Sequence, residues 1–142
     1  MSGKIVLDSS VIAALFFREE LSDTVEEIVE GYQEYYTVSQ AYSEVANVAW
    51  KRIKIHGEDE EISKQALKNA IEFIERICEV VDNKLVLNQA FELAVKYGVT
   101  VYDALFIALA IKLEEKLITT DRRLYNTIRS TDLERFVECV EL

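Results

Sequence analysis

Hydrophobic residues recur along this chain in two rhythms. Short apolar runs of a few residues alternate with longer stretches in which apolar positions return every three or four residues. The first rhythm predicts buried strands, the second amphipathic helices. Lys4–Leu7 reads as a strand ending at Asp8-Ser9-Ser10, and Val11–Phe17 as a helix. Ser22–Tyr32 follows as a helix with Val25, Ile28 and Val29 inward. Tyr35–Val38 is a second strand, after which Ser39 can cap a helix over Gln40–Ile55. Its apolar positions are Tyr42, Val45, Val48, Ala49 and Ile53. Gly57 breaks the pattern, and Glu58–Ile77 resumes it as a long helix. Glu79–Val81 is a brief strand, and Val86–Tyr97 a helix closed by Gly98. Asp103–Glu115 is an almost wholly apolar helix, followed by a strand at Lys116–Thr119. A short helix at Arg122–Ile128 and a last strand at Phe136–Val140 complete the chain.

Strands alternating with helices predict an α/β fold, with a mostly parallel sheet covered on both faces. In such sheets ligands sit beyond the carboxyl ends of the strands, where strand order reverses. The 142 residues include no proline, four glycines, no repeat and no linker-like stretch, so a single domain over residues 1–142 is expected. Lys4 leads into a strand rather than a leader sequence, and the longest apolar run is short of a membrane span. A cytoplasmic chain with no membrane partner is the expectation. Cys78 and Cys139 lie far apart with no CxxC spacing, which predicts free, buried thiols in a reducing compartment. Without a His/Cys cluster a structural zinc site is not expected. Acids outnumber bases 26 to 16, a net charge of −10. That excludes a surface that coats nucleic acid generally and leaves room only for local contact.

Against this background four acids stand out. Asp8 and Asp121 each follow directly on a predicted strand, where they can cap the next helix. Asp103 lies three residues after Thr100, a spacing that resembles a capping box with Asp in place of Glu. Glu44 sits inside a helix where no capping role is available, and Asn47 shares its face three residues on. Singly, each has a simple structural reading as a cap or a solvated helical position. Jointly, two strand-end acids and two helical ones can meet in one pocket. Crowded carboxylates repel and take up protons unless a cation joins them. Oxygen ligands without His or Cys select a hard ion, Mg²⁺ or Mn²⁺, of the kind used in phosphoryl chemistry.

"IVLDSSVIAALF", "SEVANV", "VTVYDALFIALA" and "LITTDRRL" together resemble the PIN domain, and within it the VapC-type ribonuclease toxins of toxin–antitoxin pairs. The resemblance covers nearly the whole chain. It implies a three-layer α/β/α domain around a central five-stranded parallel sheet. It also implies a catalytic, metal-dependent ribonuclease site built from Asp8, Glu44, Asp103 and Asp121, leaving a 5′-phosphate and a 3′-hydroxyl. Ser10 and Thr119 match the hydroxyl positions that support the first and last acids, a task that Asn47 can share. A homodimer and a small cognate antitoxin protein that blocks the site are implied as partners, with RNA as substrate. The position two after the last acid, acidic or Asn in some PIN proteins, is Arg123 here.

Bases available to grip RNA are few. Lys51, Arg52 and Lys54 follow Glu44 on its helix, and Arg122 and Arg123 follow Asp121. Each is equally readable as solvated charge or half of an ion pair. Trp50, Tyr42 and Tyr32 read as core or interface residues rather than base-stacking plates, and His56 as a loop residue. The helices predicted over 40–55 and 58–77 offer an apolar groove that could hold an antitoxin helix. A PIN-like protein-binding module without turnover, serving in an RNA-processing complex, remains the alternative. A phospho-receiver domain is disfavoured because Ser9-Ser10, not a second acid, follows Asp8 and no late lysine is placed after a strand. A haloacid-dehalogenase-like phosphatase would need Asp where Ser10 stands.

Overall fold

Ile5, Val6 and Leu7 are almost wholly removed from water. An unbroken apolar run of this kind belongs to a strand covered on both faces. In the computed structural model, which describes residues 3–142, that strand is β1 (Lys4–Leu7). It is followed by α1 (Ser9–Phe16), α2 (Ser22–Glu30), β2 (Glu34–Val38), α3 (Gln40–Lys54) and α4 (Glu60–Arg76). Then come β3 (Cys78–Val81), α5 (Leu87–Tyr97), α6 (Val101–Leu113), β4 (Leu117–Thr119), α7 (Arg122–Ile128) and β5 (Val137–Cys139). Short 3₁₀ turns at Asn83–Leu85 and Glu134–Phe136 precede α5 and β5.

The five strands form one all-parallel sheet in the order β3-β2-β1-β4-β5, with helices on both faces. Two successive steps carry the chain outward from β1 to β2 and β3. It then returns to the other side of β1 as β4 and moves out again to β5. Strand order therefore reverses between β1 and β4, and a crevice opens there beyond their carboxyl ends. The register pairs Leu7 with Ile118. One residue further, Asp8 and Thr119 stand side by side at that crevice.

The pillar of the domain is α6. Every residue from Ala104 to Ala110 is buried, as expected for a helix that is apolar all round. It packs against β1, β2 and β4 and is backed by α5. The tight connection between the two helices is made by Gly98, which closes α5 in the left-handed region at φ +74° and donates its N–H to the Ala94 carbonyl at 3.0 Å. Among the described residues no single helix is long and apolar enough to cross a membrane.

The expected elements are all present, and the shifts at the starts of α1, α4 and α6 have one cause: a capping side chain, not the first apolar residue, sets where the helix begins. Ser39 does not cap α3 as expected; its Oγ accepts the Asn83 N–H at 3.0 Å instead. Asp8 accepts the Val11 N–H at 3.1 Å, so α1 starts at Ser9 rather than Val11. Asp59 accepts the Ile62 N–H at 3.0 Å and moves the start of α4 from Glu58 to Glu60. Thr100 accepts the Asp103 N–H at 3.1 Å, so Asp103 is the third residue of α6 and not its first. Two side-chain expectations need correction. Of the core and interface readings of Trp50, the core one falls: the side chain is 53% exposed on the outer side of α3. Cys78 is buried but Cys139 only half so; both are free thiols.

Removing a fully buried side chain from α6 tests its role as the pillar. Leu109→Ala should cost about 3 kcal/mol of stability, read as a lowered urea midpoint with unchanged slope. A loss below about 1 kcal/mol would show that the domain does not rest on this helix.

Candidate active site

The crevice at the sheet's switch point is a cavity of about 240 Å³. It is lined by Asp8, Ser9, Ser10, Glu44, Asn47, Val48, Lys51, Asp103, Phe106 and Asp121. Each acid arrives from a different element. Asp8 ends β1, Glu44 projects from α3, Asp103 comes from the first turn of α6, and Asp121 stands between β4 and α7. The helical positions of Glu44, Asn47, Val48 and Lys51 are spaced to lie on one side of α3.

Hydroxyl groups lock this arrangement. Ser10 Oγ donates to Asp8 Oδ1 at 2.6 Å and itself accepts the Thr120 N–H at 2.9 Å. The Thr119 hydroxyl is 3.3 Å from Ser10 Oγ and accepts the Asp121 N–H at 3.0 Å. These contacts stitch the ends of β1 and β4 together at the level of the two aspartates. Ser9 Oγ donates to Glu44 Oε1, joining the start of α1 to α3. Sequence reasoning missed Ser9. The only signal was the doubled serine after Asp8, and nothing in it says which hydroxyl faces which acid.

Asp8 and Asp121 keep their capping work while lining the cavity. Asp8 holds the Val11 N–H, and Asp121 Oδ1 accepts the Leu124 N–H at 3.0 Å. The structural and chemical readings of these residues are thus compatible, since a carboxylate has two oxygens to offer.

Burial pushes the Asp8 carboxyl up from 3.8 to about 6; its hydrogen bonds with Ser10, Thr119 and Val11 pull the other way, and the charge of Asp103 adds to the rise. Burial also raises Glu44 and Asp103, and each feels a neighbouring acid: Asp103 in the first case and Asp121 in the second. Three members of the cluster are therefore held back from ionising, the mark of like charges gathered in a poorly solvated place. The donor set is all oxygen and net negative, which suits a hard divalent cation in kind. The acids line the cavity without closing to ligand distance on a common point. Among the described residues no group of three His, Cys, Asp or Glu is set to hold a metal ion. Asp8, Glu44 and Asp121 are satisfied by donors of the surrounding protein.

Of the bases read as RNA contacts, only Lys51 lines this cavity. Arg52 turns to the neighbouring α3–α4 connection, where it meets Glu58 at 3.1 Å and the Arg18 carbonyl at 3.0 Å. Arg122 pairs with Glu141 at 2.6 Å and covers the Tyr125 ring. Arg123 and Lys54 are exposed and outside the cavity. The apolar groove expected along the two long helices lies instead between the end of α1 and the start of α4. There Phe16, Phe17, Ile62 and Ala66, together with the charged Arg18, Arg52, Glu58 and Asp59, line a cavity of about 380 Å³.

The raised Asp8 makes stability depend on pH. Between pH 3.8 and about 6 the folded protein keeps a proton that the unfolded chain has released. The resulting stability is full below the lower value and lost as pH rises through the upper one. Asp8→Asn is neutral throughout and can accept the same cap hydrogen bond. In EDTA, wild type should therefore fall relative to Asp8→Asn by up to about 3 kcal/mol between roughly pH 4 and pH 7. Thermal melts of both proteins across this range measure it; a gap that does not change with pH contradicts a buried, proton-holding Asp8.

Comparison with known proteins places this chain in a family. The PIN domain family model matches residues 5–129. Ribonuclease VapC3 of Pyrobaculum aerophilum is 43% identical over 121 residues, which is 85% of this chain and 92% of that relative. The crystal structure of VapC20 from Mycobacterium tuberculosis, a sarcin–ricin loop cleaving toxin, is similar with a TM-score of 0.64 at 17% identity. That likeness covers 83% of this chain and 90% of VapC20. VapBC2 from Rickettsia felis, solved bound to a DNA fragment from its promoter, is similar with a TM-score of 0.61 at 14% identity, over 97% of this chain and 99% of that one. At such identities the solved structures speak for the fold, while the family model and the 43% relative speak for descent. The chain belongs to the PIN domain family, on its VapC branch.

Proposed function

We propose that this protein is a divalent-metal-dependent endoribonuclease, the toxin of a toxin–antitoxin pair. One observation carries the reading: four acids from four elements line a single cavity at the sheet's switch point, in a chain 43% identical to a ribonuclease. Asp8, Glu44, Asp103 and Asp121 would hold Mg²⁺ or Mn²⁺. Such an ion supplies a Lewis acid for the phosphate and a more acidic water. The protein's part is to concentrate negative charge and keep it oriented. Ser10 aligns Asp8, Ser9 aligns Glu44, and Thr119 fixes the backbone of Asp121. Hydrogen bonds of this kind preserve the geometry on which ligand strength depends. Asn47 and Lys51, on the same side of α3 as Glu44, offer uncharged and cationic donors to a phosphodiester in the cavity.

Two partners belong to the same reading. A cognate antitoxin would seat an apolar helix in the groove lined by Phe16, Phe17 and Ile62; a VapBC2 complex among the solved neighbours supports a partner of that type. A second copy of the chain would cover α5, where Leu87, Phe91 and Val95 follow at four-residue spacing and are 44%, 54% and 69% exposed. A contiguous apolar row on a helix surface marks an interface.

Cleavage of a structured RNA such as tRNA, with Mg²⁺, Mn²⁺ or EDTA, tests the activity. Wild type should cleave only with the metal, and Asp103→Asn should lose at least about 100-fold in rate. Full activity in EDTA removes the metal from the reading, and no cleavage under any condition favours the protein-binding module. Phe91→Glu should convert a dimer into a folded monomer in light scattering; a wild-type monomer would remove the dimer.

A further inference from the structure

Beside the acidic cavity lies a second one of opposite character. It measures about 460 Å³ and is lined by Arg18, Val48, Lys51, Arg52, His56 and Glu58. Three permanent cations and a histidine face one acid. That is a local reversal in a chain where acids outnumber bases 26 to 16. The two cavities share Val48 and Lys51, so they adjoin along one side of α3.

The cations differ in how firmly they are engaged. Arg52 is the floor: its side chain is only 21% exposed, and its guanidinium bonds Glu58 and the Arg18 carbonyl and stands 5.7 Å from the centre of the Phe17 ring. Arg18 meets Asp23 at 2.8 Å, but both side chains are more than 70% exposed. An ion pair so open to water is weak and can be exchanged for a better anion. Lys51 has no ion pair among the described residues, and His56 is exposed in the turn after α3.

We propose that this basic cavity is a phosphate subsite for the RNA strand flanking the scissile bond, with Arg18, Lys51 and His56 as its donors. The inference rests on the ribonuclease reading and adds the direction in which the strand leaves the acids. The four acids repel every phosphate except the one a cation holds. A polyanion can enter only where positive charge begins at once beyond them, and Lys51 marks that boundary. Attraction here acts on substrate and transition state alike, so its loss weakens binding and leaves the chemical step.

The test uses Arg18→Ala, His56→Ala and the double variant. Both residues are exposed, and their removal leaves Arg52 and the fold in place. Cleavage of a labelled hairpin RNA is followed with Mg²⁺ or Mn²⁺ over a range of KCl concentrations. Lys84→Ala, on the turn before α5, serves as control. The double variant should raise KM roughly 5- to 10-fold with kcat within about 2-fold. Its slope of log kcat/KM against log salt should flatten by about one to two. The control should match wild type. Wild-type KM and slope in the double variant overturn the subsite, as does a fall in kcat at unchanged KM. Unchanged RNA kinetics with weakened antitoxin binding also overturn it, assigning the cavity to a protein partner. Failure of wild type to cleave any RNA is a separate result that removes the ribonuclease reading beneath it.

Discussion

The placement of carboxylates at the buried end of a parallel sheet constrains the rest of this molecule. Asp8 is 7% exposed at the junction of β1 and β4, where a charge is poorly solvated and another acid adds repulsion. Such a group survives in a fold only if hydrogen bonds from its surroundings offset part of the cost. Ser10, Thr119 and the start of α1 provide them. The hydroxyls at positions 9, 10 and 119 are therefore as much a condition of the cavity as the acids themselves.

That constraint explains why capping and site-building coincide. A residue directly after a parallel strand is at the crevice, and it is also at the start of the following helix. Asp8 occupies such a position and Asp121 lies one residue beyond it, and both accept backbone N–H groups of the helix that follows. Helix starts fix the carboxylates, and the sheet fixes the helix starts. The apolar helix α6 completes the frame. Its buried length, packed against three strands, holds Asp103 at the mouth of the cavity with Thr100 capping the turn that carries it.

Charge is distributed to match. The acids gather in one cavity while Lys51, Arg18 and Arg52 gather in the next, on a surface that is otherwise acidic. Arg52 shows how a cation near a site can serve the scaffold. It ties the end of α1 to the α3–α4 turn and so shapes the basic cavity without being its most available donor.

Much of this was legible in the residues. The two hydrophobic rhythms marked the five strands and seven helices of the described residues, because burial on one side or both leaves a period in any chain. The spacing of Glu44 and Asn47 put them on one helical side, a consequence of local geometry alone. Cap chemistry was visible at Asp8, Thr100 and Asp121 but not at Asp59, which starts α4, and Ser39 makes no cap hydrogen bond. Only the tertiary structure decided which groups meet. Strand order set Asp8 beside Thr119. The packing of α1 on α3 set Ser9 against Glu44, turned Arg52 to the Arg18 carbonyl, and left Arg18 and His56 around one cavity. These pairings join residues up to about a hundred positions apart, and no local rule of periodicity or capping carries information across that distance; packing of the whole chain does.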